Sequence, residues 1–178
     1  MPKNSPRAKK VIIDTSSLIS LVHGELLESV LSGFEVVVTK TVLSELEETA
    51  QFEDEGGEAA ATVLKHQDEL KISKAPREGV REVLTGSLDI GEATCIVLAK
   101  ARGEEIDALI SDDFKAMAHL EYYSNKEEFD LGPCAVLIRA LQLRGDLSKK
   151  KAGEAFERIA EKRDWMGRPI YEYGKKFL

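Results

Sequence analysis

The chain is poor in the residues that build soft-metal or redox sites. It holds two cysteines, Cys95 and Cys134, with no C-x-x-C spacing, and three histidines, His23, His66 and His119, scattered without ligand spacing. Both cysteines lie in apolar helical patterns, CIVLA and CAVLI, which is how buried, inert thiols read. Zinc is not the metal to expect. No apolar run approaches the roughly 18–20 residues of a membrane span. The start, MPKNSPRAKK, is basic but lacks the apolar core and small-residue cleavage site of a secretory signal. A cytoplasmic protein is expected. Internal repeats and low-complexity linkers are absent too, so 178 residues at 43% hydrophobic content suit one domain with a sizeable core.

Acid is what the chain has in excess. The net charge is −7, and it is unevenly spread. Residues 1–13 carry four basic and no acidic side chains, residues 14–131 carry 10 basic and 26 acidic, and residues 132–178 carry eleven basic and six acidic. An acidic middle with basic ends fits a cation-binding centre flanked by segments that attract phosphate. An ordinary soluble protein with uneven charge has the same profile, so charge alone decides nothing.

Hydrophobic patterning alternates between strand and helix. Val11–Ile13 reads as a short buried strand, followed by Thr15, Ser16 and Ser17 and one helix whose apolar stripe runs from Leu18 to Leu31 and breaks at Gly33. Phe34–Thr39 is the second strand, and a helix opens at Thr41. Residues 52–57, acidic and glycine-containing, read as a loop before a helix over Glu58–Leu70. A strand at Lys71–Ser73, a helix over Arg77–Leu84 stopped by Gly86 and Ser87, and a strong helix from Asp89 to a cap at Gly103 come next. Ala108–Ser111 is a buried strand turning into helix over Asp112–Leu120. A short strand precedes Gly132–Pro133, a helix spans Ala135–Leu143, and Ser148 caps a basic amphipathic helix through Arg163. The tail IYEYGKKFL forms a last short helix. The expected class is α/β, a single α/β/α sandwich with a mostly parallel sheet. Its parts are a basic tail (1–10), a core domain (11–130) and a helical extension packed on it (131–178).

Against this pattern, carboxylates recur where burial is expected. They lie in VIIDTSS (Asp14), VLSEL (Glu45), LDIGEA (Asp89, Glu92) and LISDDF (Asp112, Asp113), and none of these motifs contains a basic residue. An unpaired buried carboxylate is costly and is normally neutralised by a cation. In a parallel sheet, ligands collect beyond the carboxyl ends of the strands, where Asp14 and the Asp112/Asp113 pair fall. Glu45 lies one to two turns into the helix after strand two. Asp89 and Glu92, three apart at a helix start, share a face. An all-oxygen set selects Mg²⁺ or Mn²⁺. Thr15 and Ser16 add hydroxyls that could ligate or orient water. Each acid also has a structural reading. Asp14 and Asp89 are good N-caps, Glu45 sits in an acid-rich run that suits a solvated face, and one of Asp112 and Asp113 is a ligand while the other is a cap.

Taken together, the segments resemble a PIN domain, the ribonuclease fold shared by VapC-type toxins and RNA-processing nucleases. The resemblance runs from residue 11 to about 120. It is carried by apolar-Asp-Thr-Ser (Asp14, Thr15, Ser16), Val-x-x-Glu-Leu (Val42, Glu45, Leu46), Asp-x-Gly-Glu-Ala (Asp89, Gly91, Glu92, Ala93) and Ser-x-Asp (Ser111, Asp113). It implies Asp14, Glu45, Glu92 and Asp113 as catalytic metal ligands for Mg²⁺ or Mn²⁺, with Thr15, Ser16, Asp89 and Asp112 in support. The family's fourth acid follows a Thr or Ser by two residues, which favours Asp113 over Asp112. The extra helices after residue 130 exceed the smallest PIN toxins.

The implied activity is a divalent-metal-dependent endoribonuclease, in which metal-activated water attacks an RNA phosphodiester. It would be either the toxin of a toxin–antitoxin pair or an RNA-processing nuclease. The expected partners are RNA, an antitoxin protein and a second copy of the chain, with no membrane. RNA contacts are expected from the basic C-terminal helix, through Lys149, Lys150, Lys151, Arg158, Lys162 and Arg163. A solvated helix face explains the same residues. The rival function is a non-catalytic PIN-like module that binds RNA or protein, which loss of an acid would favour; all four positions are filled. A phosphatase-like hydrolase is weaker, because no Asp-x-Asp-x-Thr segment is present.

Overall fold

The computed structural model describes residues 9–83, 88–113 and 129–178. Five short strands, β1 (Lys10–Ile13), β2 (Glu35–Thr39), β3 (Lys71–Ser73), β4 (Ala108–Ile110) and β5 (Asp130–Gly132), form one sheet in the order β3-β2-β1-β4-β5. Every pairing is parallel. The central runs Val11–Ile13, Val36–Val38 and Ala108–Ile110 are buried throughout, as a sheet covered on both faces requires. Helices flank it in an α/β/α sandwich, as expected. Among the described residues no helix is long and apolar enough to cross a membrane.

The helices are α1 (Thr15–His23), α2 (Leu27–Gly33), α3 (Lys40–Thr49), α4 (Glu55–Lys65), α5 (Arg77–Val83), α6 (Ile90–Arg102), α7 (Ala135–Arg144), α8 (Lys149–Lys162) and α9 (Pro169–Lys175). Helix α6 is buried without a break from Ala93 to Ala99 and lies against β1, β2 and β4. Its small residues Ala93 and Ala99 allow that close approach. Helix α8 packs on α1 and α7, and Phe156 stacks on Tyr171 of α9 with ring centroids 5.6 Å apart.

Two expectations are corrected. The stripe from Leu18 to Leu31 is two helices, because Glu25 adopts a left-handed φ of 58° and breaks the ladder after His23. Residues 52–57 are not all loop. Asp54 caps α4 through the Gly57 N–H at 2.7 Å, so Gly56 and Gly57 open the helix, which ends at Lys65 with a 3₁₀ turn over Gln67–Glu69. A side chain at Gly57 would stand 1.9 Å from the Phe52 carbonyl oxygen, so glycine is there for close packing. The tail over residues 1–8, the Gly86–Ser87 stop and the helix expected over 114–120 lie outside the described residues.

Candidate functional site

The strand order changes direction between β1 and β4, and a crevice opens at such a switch point beyond the carboxyl ends. Asp14 stands there, one residue past β1. Its N–H bonds the Ile110 carbonyl at 3.1 Å, which extends the ladder and holds it beside the end of β4. Its carboxylate is buried. Oδ1 accepts from the Ser17 N–H at 2.8 Å and the Ser16 hydroxyl at 3.0 Å, and Oδ2 accepts from the Ser111 hydroxyl at 2.6 Å. The capping reading of Asp14 is therefore correct, and it leaves the acid at the crevice. Burial and the nearby Asp112 charge push its pKa up to about 6, against the pull of its serine donors.

Glu45 enters from α3, whose start is fixed by Thr39 capping the Val42 N–H at 3.1 Å. The Thr15 hydroxyl donates to Glu45 Oε2. Burial raises its pKa, and the Asp89 and Glu48 charges add to the rise. The carboxylate lies against the backbone of Gly91, where a Cβ would fall 2.2 Å from Oε1. Glycine is what admits Glu45 to the edge.

Asp89 and Glu92 form a reciprocal capping box at the start of α6. The Glu92 N–H donates to Asp89 Oδ1 at 2.8 Å, and the Asp89 N–H donates to Glu92 Oε2 at 3.1 Å. Partial burial, then the charges of Asp89, Asp113 and Asp14, push the Glu92 pKa up to about 8. The Asp14 and Asp113 charges thus reach Glu92 from two other segments.

The Asp112/Asp113 pair divides its work. Asp112 is buried and turned inward, its Oδ1 accepting the Cys134 N–H at 2.8 Å before α7. Its Oδ2 is buried without a hydrogen bond among the described residues. Burial raises its pKa, and the Cys134 N–H moderates the rise. Asp113 is half-buried, its N–H donating to the Ser111 hydroxyl at 3.3 Å, and its charge reaches Glu92. Cys95 and Cys134 are buried free thiols whose pKa values burial drives up, which keeps them inert.

The donor set at this edge is all oxygen, and burial, with neighbouring carboxylates adding to it, raises the proton affinities of Asp14, Glu45 and Glu92. Acids that hold protons more tightly than usual suit a hard divalent ion. Among the described residues no three Asp, Glu, His or Cys side chains are drawn together as a finished metal cage. Asp14, Glu45, Asp89, Glu92 and Asp112 each lean instead on a hydroxyl or a backbone N–H.

Sequence reading overlooked the Thr39–Thr94 pair at this edge and the bridging role of the Ser111 hydroxyl. Thr39 Oγ1 and Thr94 Oγ1 are 2.9 Å apart, and Thr94 also donates to the Gly91 carbonyl at 2.8 Å, tying β2 to the first turn of α6. The Ser111 hydroxyl joins Asp14 to Asp113. Of the expected RNA-binding residues, Arg163 at the end of α8 brings its charge to Asp112, and two others bond within the fold. On α8, Arg158 donates to the Gly24 carbonyl at 2.9 Å, at the end of α1 away from Asp14, and Lys162 pairs with Glu55.

No curated protein matches the chain significantly. A family model described as a PIN domain matches residues 10–173, from β1 through α8 and into α9. That fold is nuclease-like, and by this match the chain belongs to the PIN-domain family.

Proposed function

We propose that the protein is a divalent-metal-dependent endoribonuclease. The observation that carries this reading is the placement of Asp14, Glu45, Glu92 and Asp113 at one sheet edge, where burial and neighbouring carboxylates raise the proton affinities of Asp14, Glu45 and Glu92. These four residues would hold Mg²⁺ or Mn²⁺, with Thr15, Ser16, Asp89 and Asp112 supporting them. Bound there, the ion would supply Lewis-acid chemistry, steadying charge on a phosphodiester and lowering the pKa of water.

The chain's own groups set the geometry. Ser17 and Ser111 fix both oxygens of Asp14, Thr15 orients Glu45, and the capping box holds Glu92 at the head of α6. His23 is turned to the far end of α1, where burial and the charge of Arg163 lower its pKa, so it is not the base. A carboxylate of the cluster is left to accept the proton from the attacking water.

Cleavage of a fluorescent single-stranded RNA with and without Mn²⁺ tests the reading. Activity should need the ion and should fall on the order of 10³-fold, about 4 kcal/mol, in Asp14→Asn. The amide keeps the shape of the carboxylate and removes its charge. Activity undiminished in EDTA or in this variant would overturn the metal-dependent reading, and a wild-type chain that does not cleave RNA in Mn²⁺ would return the protein to the class of non-catalytic binding modules. Whether the nuclease is a toxin or an RNA-maturation enzyme is read from the neighbouring reading frame, where a small partner protein marks a toxin.

A further inference from the structure

Beside the acids, the same sheet edge carries a cationic cleft. A cavity of about 430 Å³ opens between the ends of β2 and β3, helix α5 and the first turn of α6. It is lined by Lys40, Lys74, Arg77 and Arg81, with Ala75, Val80 and Ile90 as its apolar part and no acidic residue in its lining among the described residues. Arg77 and Arg81 are four apart on α5 and so share a face, while Glu78 and Glu82 stay out of the lining. All four cations are exposed, and none takes part in an ion pair among the described residues. Ile90 is 53% exposed, a large apolar side chain left facing water beside four positive charges.

The cleft and the acids adjoin. Thr39 and Thr94 line the cleft, and Thr94 bonds the carbonyl of Gly91, against which Glu45 lies. Ile90 is separated from Glu92 by one residue, so the two features meet within one helical turn, about 5.4 Å. A polyanion approaching the acids alone meets repulsion. A groove of opposite sign leading into them supplies the attraction, and an apolar patch inside it suits a base unstacked from its strand.

We infer that this cleft is the subsite for the single-stranded RNA next to the phosphodiester held at the acids. Phosphates lie on Lys40, Lys74, Arg77 and Arg81, and a base lies against Val80 and Ile90. The inference rests on the ribonuclease reading above and adds where the substrate runs. Helix α8 has more basic residues, but three of them are held within the fold: Lys150 lies 3.7 Å from Glu154, Arg158 is 3.5 Å from Glu25, and Lys162 is paired with Glu55.

Binding of fluorescein-labelled oligouridylate, measured by anisotropy in EDTA across a salt series, tests this without any cleavage. The triple variant K74Q/R77Q/R81Q should bind at least about tenfold more weakly at low salt. Its slope of log affinity against log salt should be shallower by about 2, at roughly 0.7 for each phosphate no longer neutralised. Lys149, Lys150 and Lys151 changed to Gln should leave affinity and slope within about twofold of wild type. All these side chains are exposed, so folding should persist; Lys74→Glu alone, with its melting curve, gives a second reading if the triple variant fails to fold. Loss of binding in the α8 variant but not in the cleft variant overturns the inference and leaves the ribonuclease reading intact. Unchanged RNA binding with loss of polyglutamate binding in the cleft variant would assign the cleft to an acidic protein segment and overturn it as well. A wild-type chain that does not bind oligouridylate overturns both.

Discussion

Lys162 of helix α8 sits on Glu55, whereas Glu92 at the sheet edge sits among Asp89, Asp113 and Asp14. Both regions are dense in charge, and the fold treats them in opposite ways. On α8, Lys150, Arg158 and Lys162 each face an acid or a carbonyl of the same molecule. At the carboxyl edge like charges are held together, and beside them a set of cations has no acid partner among the described residues. Exposed pairs such as those on α8 contribute little and are satisfied at home. Charges that the fold leaves unbalanced are the ones that await something from outside.

The largest effect that would break this contrast lies at Gly91. Alanine there puts a methyl where the Glu45 carboxylate lies, and that carboxylate, being the end of a flexible side chain, can move away. Gly91→Ala should lower RNA cleavage by roughly tenfold to a hundredfold while leaving the melting curve almost unchanged. In a Glu45→Gln background it should add little, since the two changes act on one contact. Independent, additive losses would show that Gly91 matters for some other reason.

Next in size is the response to pH. Burial and neighbouring acids place Asp14 at about 6 and Glu92 at about 8, above the ordinary values of 3.8 and 4.5. The folded state therefore binds protons more tightly than the unfolded state across this window. Their contribution to stability is full below the ordinary carboxylate range and is lost as pH rises through 6 and then 8. Metal-free protein should melt several degrees lower at about pH 8 than at about pH 5, and millimolar Mn²⁺ should restore it at the higher pH by binding only the folded state. A melting temperature that rises with pH in EDTA, or ignores Mn²⁺, would remove the electrostatic half of the comparison.

On α8 the expected effects are smaller and concern stability alone. A Cβ at Gly153 meets nothing within 4 Å, so Gly153→Ala should stabilise by roughly 0.5–1 kcal/mol through helix propensity. RNA affinity should not change. Lys162→Gln should shift the melting temperature by no more than about one degree, because its pair with Glu55 is exposed. A large shift would mean that α8 holds the fold together electrostatically.

Much of the edge is legible in the sequence because short apolar runs ending in Asp have few interpretations. Val11–Ile13 with Asp14, and Ala108–Ile110 with the pair after it, lie where patterning puts them. The break at Glu25 is hidden because Leu26 and Leu27 continue the stripe, and a non-glycine residue supplies the left-handed turn. Gly56 and Gly57 look like loop because glycine is read as freedom, although at Gly57 it serves close packing. The choice between Asp112 and Asp113 needs the Cys134 N–H, 22 residues on, to claim one of them. The cationic cleft is invisible for a related reason. Lys74, Arg77 and Arg81 share one short stretch interrupted by Glu78, Lys40 comes from a distant segment, and each alone looks like ordinary solvated charge.

The order of the strands also bears on when the protein acquires its chemistry. The central strand β1 is made first, yet its neighbour β4 and the Ser111 hydroxyl that steadies Asp14 are 97 residues downstream of their partners. During synthesis β1 can pair with β2 early, but it has one open edge until most of the chain has emerged. Contacts this distant close slowly, since loop entropy must be overcome before they form. Assembly of the Asp14–Ser111 contact is thus a late folding event, and a ribosome-bound fragment ending before β4 would carry Asp14 without a working centre.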